Sequence, residues 1–123
     1  MTMKVLEVGI LSRKAYIKRT IAIAKGEYQP QANESKIWFE SLTAFEKILN
    51  ENQALLNLIL EKKPNSLNEL ARVSGHDSHS LSRILKTLAQ YGIVTLEKHH
   101  NALKPVVNGE RFRIECDLHS SFS

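Results

Sequence analysis

Residues 66–94 read SLNELARVSGHDSHSLSRILKTLAQYGIV. The four residues SGHD in the middle constrain the fold more than any other stretch. Helical patterns lie on both sides, and one uninterrupted helix would bury the same leucines. Cutting them apart costs backbone entropy at Gly75 and discards intrahelical hydrogen bonds, so the second segment has to point in a new direction. Ser66 with Glu69 three residues on is a capping-box pattern that opens a short helix, whose inner face is Leu67, Leu70 and Ala71. Gly75 accepts positive φ at low steric cost and ends that helix. Asp77 caps the next one, since its carboxylate can accept the orphan N–H groups of the first turn. Leu81, Ile84, Leu85 and Leu88 then form one apolar stripe. Two helices joined by a tight glycine-containing turn predict a helix-turn-helix.

The second helix, over 77–90, has a polar face opposite its leucines. At about 100° per residue, His79, Arg83, Lys86 and Gln90 gather there, with Ser82 beside them and Ser78 at the amino-terminal end. A recognition helix enters the major groove with its first turns leading, and it needs donors that reach base edges and phosphates. Arg is the commonest reader of guanine, while Ser and His donate or accept. On an isolated helix such a face would simply be the solvated side, so the flanking elements have to decide.

Upstream, Asn50-Glu51-Asn52-Gln53 is a second capping-box pattern. It predicts a helix carrying Leu55, Leu56, Ile59 and Leu60, stopped by Pro64 and Asn65. Before it, KIWFES predicts a short strand, followed by a separate helix in SLTAFEKIL that buries Leu42, Phe45, Ile48 and Leu49. Downstream of Tyr91-Gly92 the period changes to that of strands. Val94 and Leu96 alternate with Thr95 and Glu97, 103–107 is a second extended run, and His99-His100-Asn101 is the hairpin tip. Helix, helix, turn, helix and hairpin in this order predict a winged helix. Lys98, His99, His100 and Lys104 would be its wing contacts.

The amino-terminal part begins with a strand in which Leu6, Val8 and Ile10 alternate with Glu7 and Gly9. Ser12 caps the helix that follows, Ile17, Ile21 and Ala24 line one side of it, and Gly26 ends it. Lys4, Arg13, Lys14, Lys18, Arg19 and Lys25 stand against Glu7 alone in the first 26 residues. The apolar stripe of this basic helix is too narrow for membrane insertion. Residues 4–25 are expected to form a homodimer, because Leu6, Val8, Ile17 and Ile21 are hard to bury in so small a chain.

The fold class expected is therefore α+β, mainly α, a winged helix-turn-helix with an amino-terminal strand-helix extension. Its parts would be 1–33 for dimerisation, 34–117 for DNA binding and a short tail over 118–123. The 123 residues suffice for one domain, and the net charge of +4 suits a polyanionic partner. The single cysteine, Cys116, excludes an intramolecular disulfide framework and fits a reducing cytoplasm. Its place in the alternation Phe112, Ile114, Cys116 predicts burial. No apolar run approaches a membrane span, and MTMKVLEVGI lacks a signal-peptide layout. The chain has neither a glycine-rich phosphate loop nor a supported Ser/His/Asp set, so no enzyme is expected. His76, His79, His99, His100 and His119 invite a metal reading, but adjacent His99 and His100 would point to opposite sides of a strand. No metal or cofactor is expected.

Across nearly its whole length the sequence resembles a family of short prokaryotic MarR-like winged-helix proteins described as DNA-binding transcriptional regulators. The resemblance rests on KAYIKRTIAIAKGE, IWFESLTAFEKILNENQALLNLIL, the SLNELARVSGHDSHSLSRILKTLAQYGIV stretch and the closing FRIEC strand. Its strongest local match runs from Leu70-Ala71 through Gly75 to Leu81-Ser82-Arg83, then Leu85, Leu88 and Gly92. The resemblance implies a double-stranded DNA partner. Some relatives are candidate antitoxins paired with toxins, so the alternative it implies is an interaction protein that neutralises a co-encoded toxin and autoregulates its operon. The wing departs from the family, with HHNALKPVV in place of the Gly-Arg-rich tips common among relatives.

Overall fold

A computed structural model describes residues 4–31 and 37–118. The boundary expected between 33 and 34, and the tail beyond residue 118, lie outside the described residues. Among those described, the fold is α+β with four helices and five strands. The chain runs β1 (Val5–Ile10), α1 (Arg13–Ala24), β2 (Ile37–Phe39), α2 (Leu42–Lys62), α3 (Leu67–Ser74), α4 (Ser78–Gln90), β3 (Val94–His99), β4 (Ala102–Val107) and β5 (Arg111–Cys116).

β1 is the middle strand of a parallel sheet ordered β2-β1-β5, while β3 and β4 form a separate antiparallel hairpin. The chain therefore returns after the hairpin to lay β5 beside β1, with Leu6 opposite Phe112 and Val8 opposite Ile114. Leu6, Val8 and Ile10 do share the inner face, as their alternation predicts, and Val8 is fully buried. That burial corrects the reasoning behind the expected dimer, because Leu6 and Val8 are covered by their own chain. Ile17 and Ile21 are not covered: each remains about half-exposed on α1.

The core joins the inner face of the sheet to the helices. Val8, Ile37 and Phe39 from the strands meet Phe45, Leu55, Leu56 and Ile59 of α2, Leu70 of α3, and Leu81, Leu85 and Leu88 of α4. An aromatic chain ties these parts together. Tyr91, just after α4, stacks on Phe39 at 4.3 Å; Phe39 meets Phe45 edge-on at 5.2 Å, and Phe45 meets Phe112 edge-on at 5.3 Å. Trp38 alternates with Ile37 and Phe39, so it emerges on the outer face. There the guanidinium of Arg19 on α1 lies 4.8 Å from its ring centre.

Three expectations are corrected. α2 is one helix, not two: no Gly or Pro interrupts Leu42–Lys62, and its inward residues run on from Phe45 to Ile59. Asn50, expected to cap a new helix, lies inside α2, and nearby Asn52 donates its side-chain N–H to the Ile48 carbonyl at 2.9 Å, one turn back. Leu42, expected to be buried, lies in the first turn and is 51% exposed. Cys116, expected to be buried, is exposed: it ends β5, which among the described residues has a neighbour on one flank only.

Candidate nucleic-acid interface

The turn that aims α4 is built as its residues predict. Ser66 Oγ accepts the Glu69 N–H at 3.1 Å. Glu69 returns a carboxylate oxygen to the Asn65 N–H at 3.3 Å, one residue before the position a capping box uses. Gly75 ends α3 in the left-handed region, at φ 79°, and its N–H donates to the Ala71 carbonyl. Asp77 accepts the Ser80 N–H at 2.8 Å and the Ser80 hydroxyl at 3.0 Å. Those bonds, the backbone one foremost, hold its carboxyl below the ordinary value of 3.8, with the His79 charge a smaller cause.

On α4, Leu81, Leu85 and Leu88 are fully buried, so the opposite side faces solvent. His79, Arg83, Lys86 and Gln90 are all exposed, and Ser82 at the flank is half-buried. His79, Arg83 and Lys86 occupy the first three turns and form one compact set of donors. Ser78 is exposed but engaged: its hydroxyl donates to Asn68 Oδ1 on α3 at 3.3 Å, bracing the two helices. Gln90 is about 18 Å along the axis from Ser78 at 1.5 Å per residue. It lines a cleft of about 310 Å³ with Arg13, Tyr16, Trp38 and Tyr91, so the structure separates it from the leading turns.

The hairpin divides the remaining positions. Its register pairs His99 with Ala102, which leaves His100 and Asn101 as a two-residue tip. Asn108 fixes its base, donating to the Gly92 carbonyl at 2.8 Å and accepting the Thr95 hydroxyl at 2.9 Å. Cross-strand pairing sets Lys98 opposite Leu103, on the face of Leu96 and Pro105, whereas His99 and Lys104 share the other face with Glu97. Lys104 stands directly across from Glu97, which offsets its charge. The four hairpin residues thus form no single patch, in contrast to the set on α4.

Sequence reasoning did not count Arg72 or His76 among the contact residues, though both are exposed, Arg72 on α3 one turn after Asn68 and His76 in the turn before α4. The signal was present: Arg72 falls off the Leu67, Leu70, Ala71 stripe, and His76 sits within the turn itself. It also passed over Asn68, which positions Ser78. Among the described residues no group of three or more His, Cys, Asp or Glu side chains is placed to hold a metal ion. No described helix is long and apolar enough to cross a membrane.

A family model described as HVO_A0114 matches residues 48–114, more than half of the chain. No curated protein and no solved structure matches it.

Proposed function

The chain belongs to the HVO_A0114 family, and we propose that it acts as a sequence-specific DNA-binding transcriptional regulator whose α4 reads the major groove. The matched segment takes in α3, the turn, α4 and the hairpin, together with most of α2 and β5. In this reading α2, α3, α4 and the hairpin make a winged helix, the architecture also implied by the resemblance to MarR-like regulators. The observation that carries the proposal is the exposed set His79, Arg83 and Lys86 on the first three turns of α4, opposite fully buried Leu81, Leu85 and Leu88. Recognition helices lead with these turns. Arg83 would read a base edge, Lys86 would meet phosphate, and Arg72 and His76 would flank them.

Fluorescence anisotropy with the DNA upstream of the protein's own gene tests this. Arg83→Ala should weaken specific binding by about 1–3 kcal/mol through loss of a bidentate guanine contact. Lys86→Ala should weaken specific and non-specific binding alike and lower the salt slope by about one ion. Both variants should melt with the parent, since neither side chain is buried. Parental affinity in both variants would remove α4 as the reading element.

A further inference from the structure

The free edge of β5 carries a charge pattern that complements itself. Residues 111–117 read Arg-Phe-Arg-Ile-Glu-Cys-Asp, with two cations before Ile114, two anions after it, and apolar residues between. β5 ends the sheet order β2-β1-β5, so among the described residues one flank is paired to β1 and the other has no strand beside it. Open edges invite pairing, and proteins blunt them by brevity, charged side chains, Pro or bulges. β2, the opposite edge, is only three residues long; β5 has six residues, no Pro and no bulge in its register with β1. Its charges are of both signs, so they can attract a suitably aligned strand as well as repel others. Every residue of β5 except half-buried Phe112 is exposed, Ile114 included at 42%, and Leu118 just beyond is 91% exposed.

We propose that a second copy of this chain docks on β5, antiparallel, about a twofold axis through Ile114, joining the two sheets into one. The axis stands normal to the sheet, so inner face continues into inner face. Ile114 then meets its own copy, and Phe112 meets Cys116 of the second copy. On the outer face Arg113 lies opposite Glu115 of the second copy and Arg111 opposite Asp117, each pair occurring twice by symmetry. Arg113 already donates to Glu7 on β1 at 3.0 Å. Across the joint, Glu7, Arg113 and the second copy's Glu115 therefore form a row of alternating sign. Neighbouring registers lack this match. An axis at Arg113 or Glu115 sets that residue against itself, and an axis at Phe112 sets Arg111 against Arg113. An axis at Cys116 sets Glu115 against Asp117. Like charges directly opposite one another are unfavourable, so the pattern selects both the partner and the register. Nothing in this depends on DNA binding.

Sedimentation of the full chain at micromolar concentration should show a reversible dimer. Arg113→Glu and Glu115→Arg should each weaken it by roughly tenfold or more, because two cross-strand pairs turn repulsive in each. An equimolar mixture of the two variants should restore the dimer, since every opposed pair is again of unlike charge. Circular dichroism checks that each variant is folded. Independently, Ile114→Cys in a Cys116→Ser background should oxidise to an intermolecular disulfide, because opposed Cα atoms in antiparallel strands lie about 4.5–5.5 Å apart, within disulfide reach. A monomeric parent chain overturns the proposal. So does a mixture of folded variants that fails to associate, or a cysteine at 114 that stays reduced while its thiol is reactive.

Discussion

Gly109→Ala is the sharpest test of how the chain closes on itself. Gly109 is buried two residues before β5, and Glu110 beside it donates its N–H to the Lys4 carbonyl at 2.9 Å. A methyl group at 109 would stand 2.7 Å from Leu6 Cγ, 3.0 Å from that same Lys4 oxygen and 3.4 Å from Leu6 Cδ1. The backbone at Gly109 is not in the left-handed region, so the cost is steric alone. Leu6 cannot relieve it by swinging its tip, because the nearest atom is the branch point. Relief requires β5 to withdraw from β1 or Leu6 to leave its place opposite Phe112. Overpacking of this kind costs about 1–3 kcal/mol, or roughly 4–12 °C of melting temperature at about 4 °C per kcal/mol. Thermal unfolding of the parent, Gly109→Ala, Leu6→Ala and the double variant forms a cycle. With Leu6 shortened only the Lys4 oxygen still crowds the methyl, so the penalty should fall by at least half, a coupling of about 1 kcal/mol. A Gly109→Ala melting curve that overlays the parent, or a penalty undiminished in the Leu6→Ala background, would refute the close approach.

The other expectations concern the turn, its cap and the hairpin tip. At Gly75 nothing lies within 4 Å of an added Cβ, so only the φ of 79° matters. Asn should be tolerated best, Ala should cost about 1–2 kcal/mol, and Val more, as read by urea unfolding; equal costs would show that the left-handed geometry is not required. The Asp77 carboxyl is depressed chiefly by the Ser80 N–H, so its ionised form favours the folded state. That contribution should be complete above the unfolded value near 3.8 and disappear as pH falls through the lower folded value. The melting difference between parent and Asp77→Ala should therefore narrow in acid, and a constant difference from pH 7 to 2 would sink this account. His100 holds φ 57° at the tip, a conformation glycine adopts freely. His100→Gly should raise stability by about 0.5–1 kcal/mol, and a fall would mean that the His99–His100 ring contact at 4.6 Å outweighs the strain.

What the sequence alone determined was local. The caps at Ser12, Ser66 and Asp77 all form, and Gly75 ends α3, because each depends on groups within four residues of one another. The buried stripe of α4 and its exposed opposite face follow from helical period alone, so the donors His79, Arg83 and Lys86 could be named before any coordinates. Tertiary structure decided the rest. Alternation told which side chains of β1 share a face, but not that β2 and β5 would flank it in parallel. The ion pair that helps fix that register, Arg113 with Glu7, spans 106 residues. The stretch at Asn50–Asn52 could cap a new helix or continue an old one, since Asn serves either; packing of Phe45 and Leu55 against one core chose continuation. Phe112, Ile114 and Cys116 share a pattern yet differ in burial. A period of two gives a face, whereas only a strand's place in the sheet determines whether that face is covered.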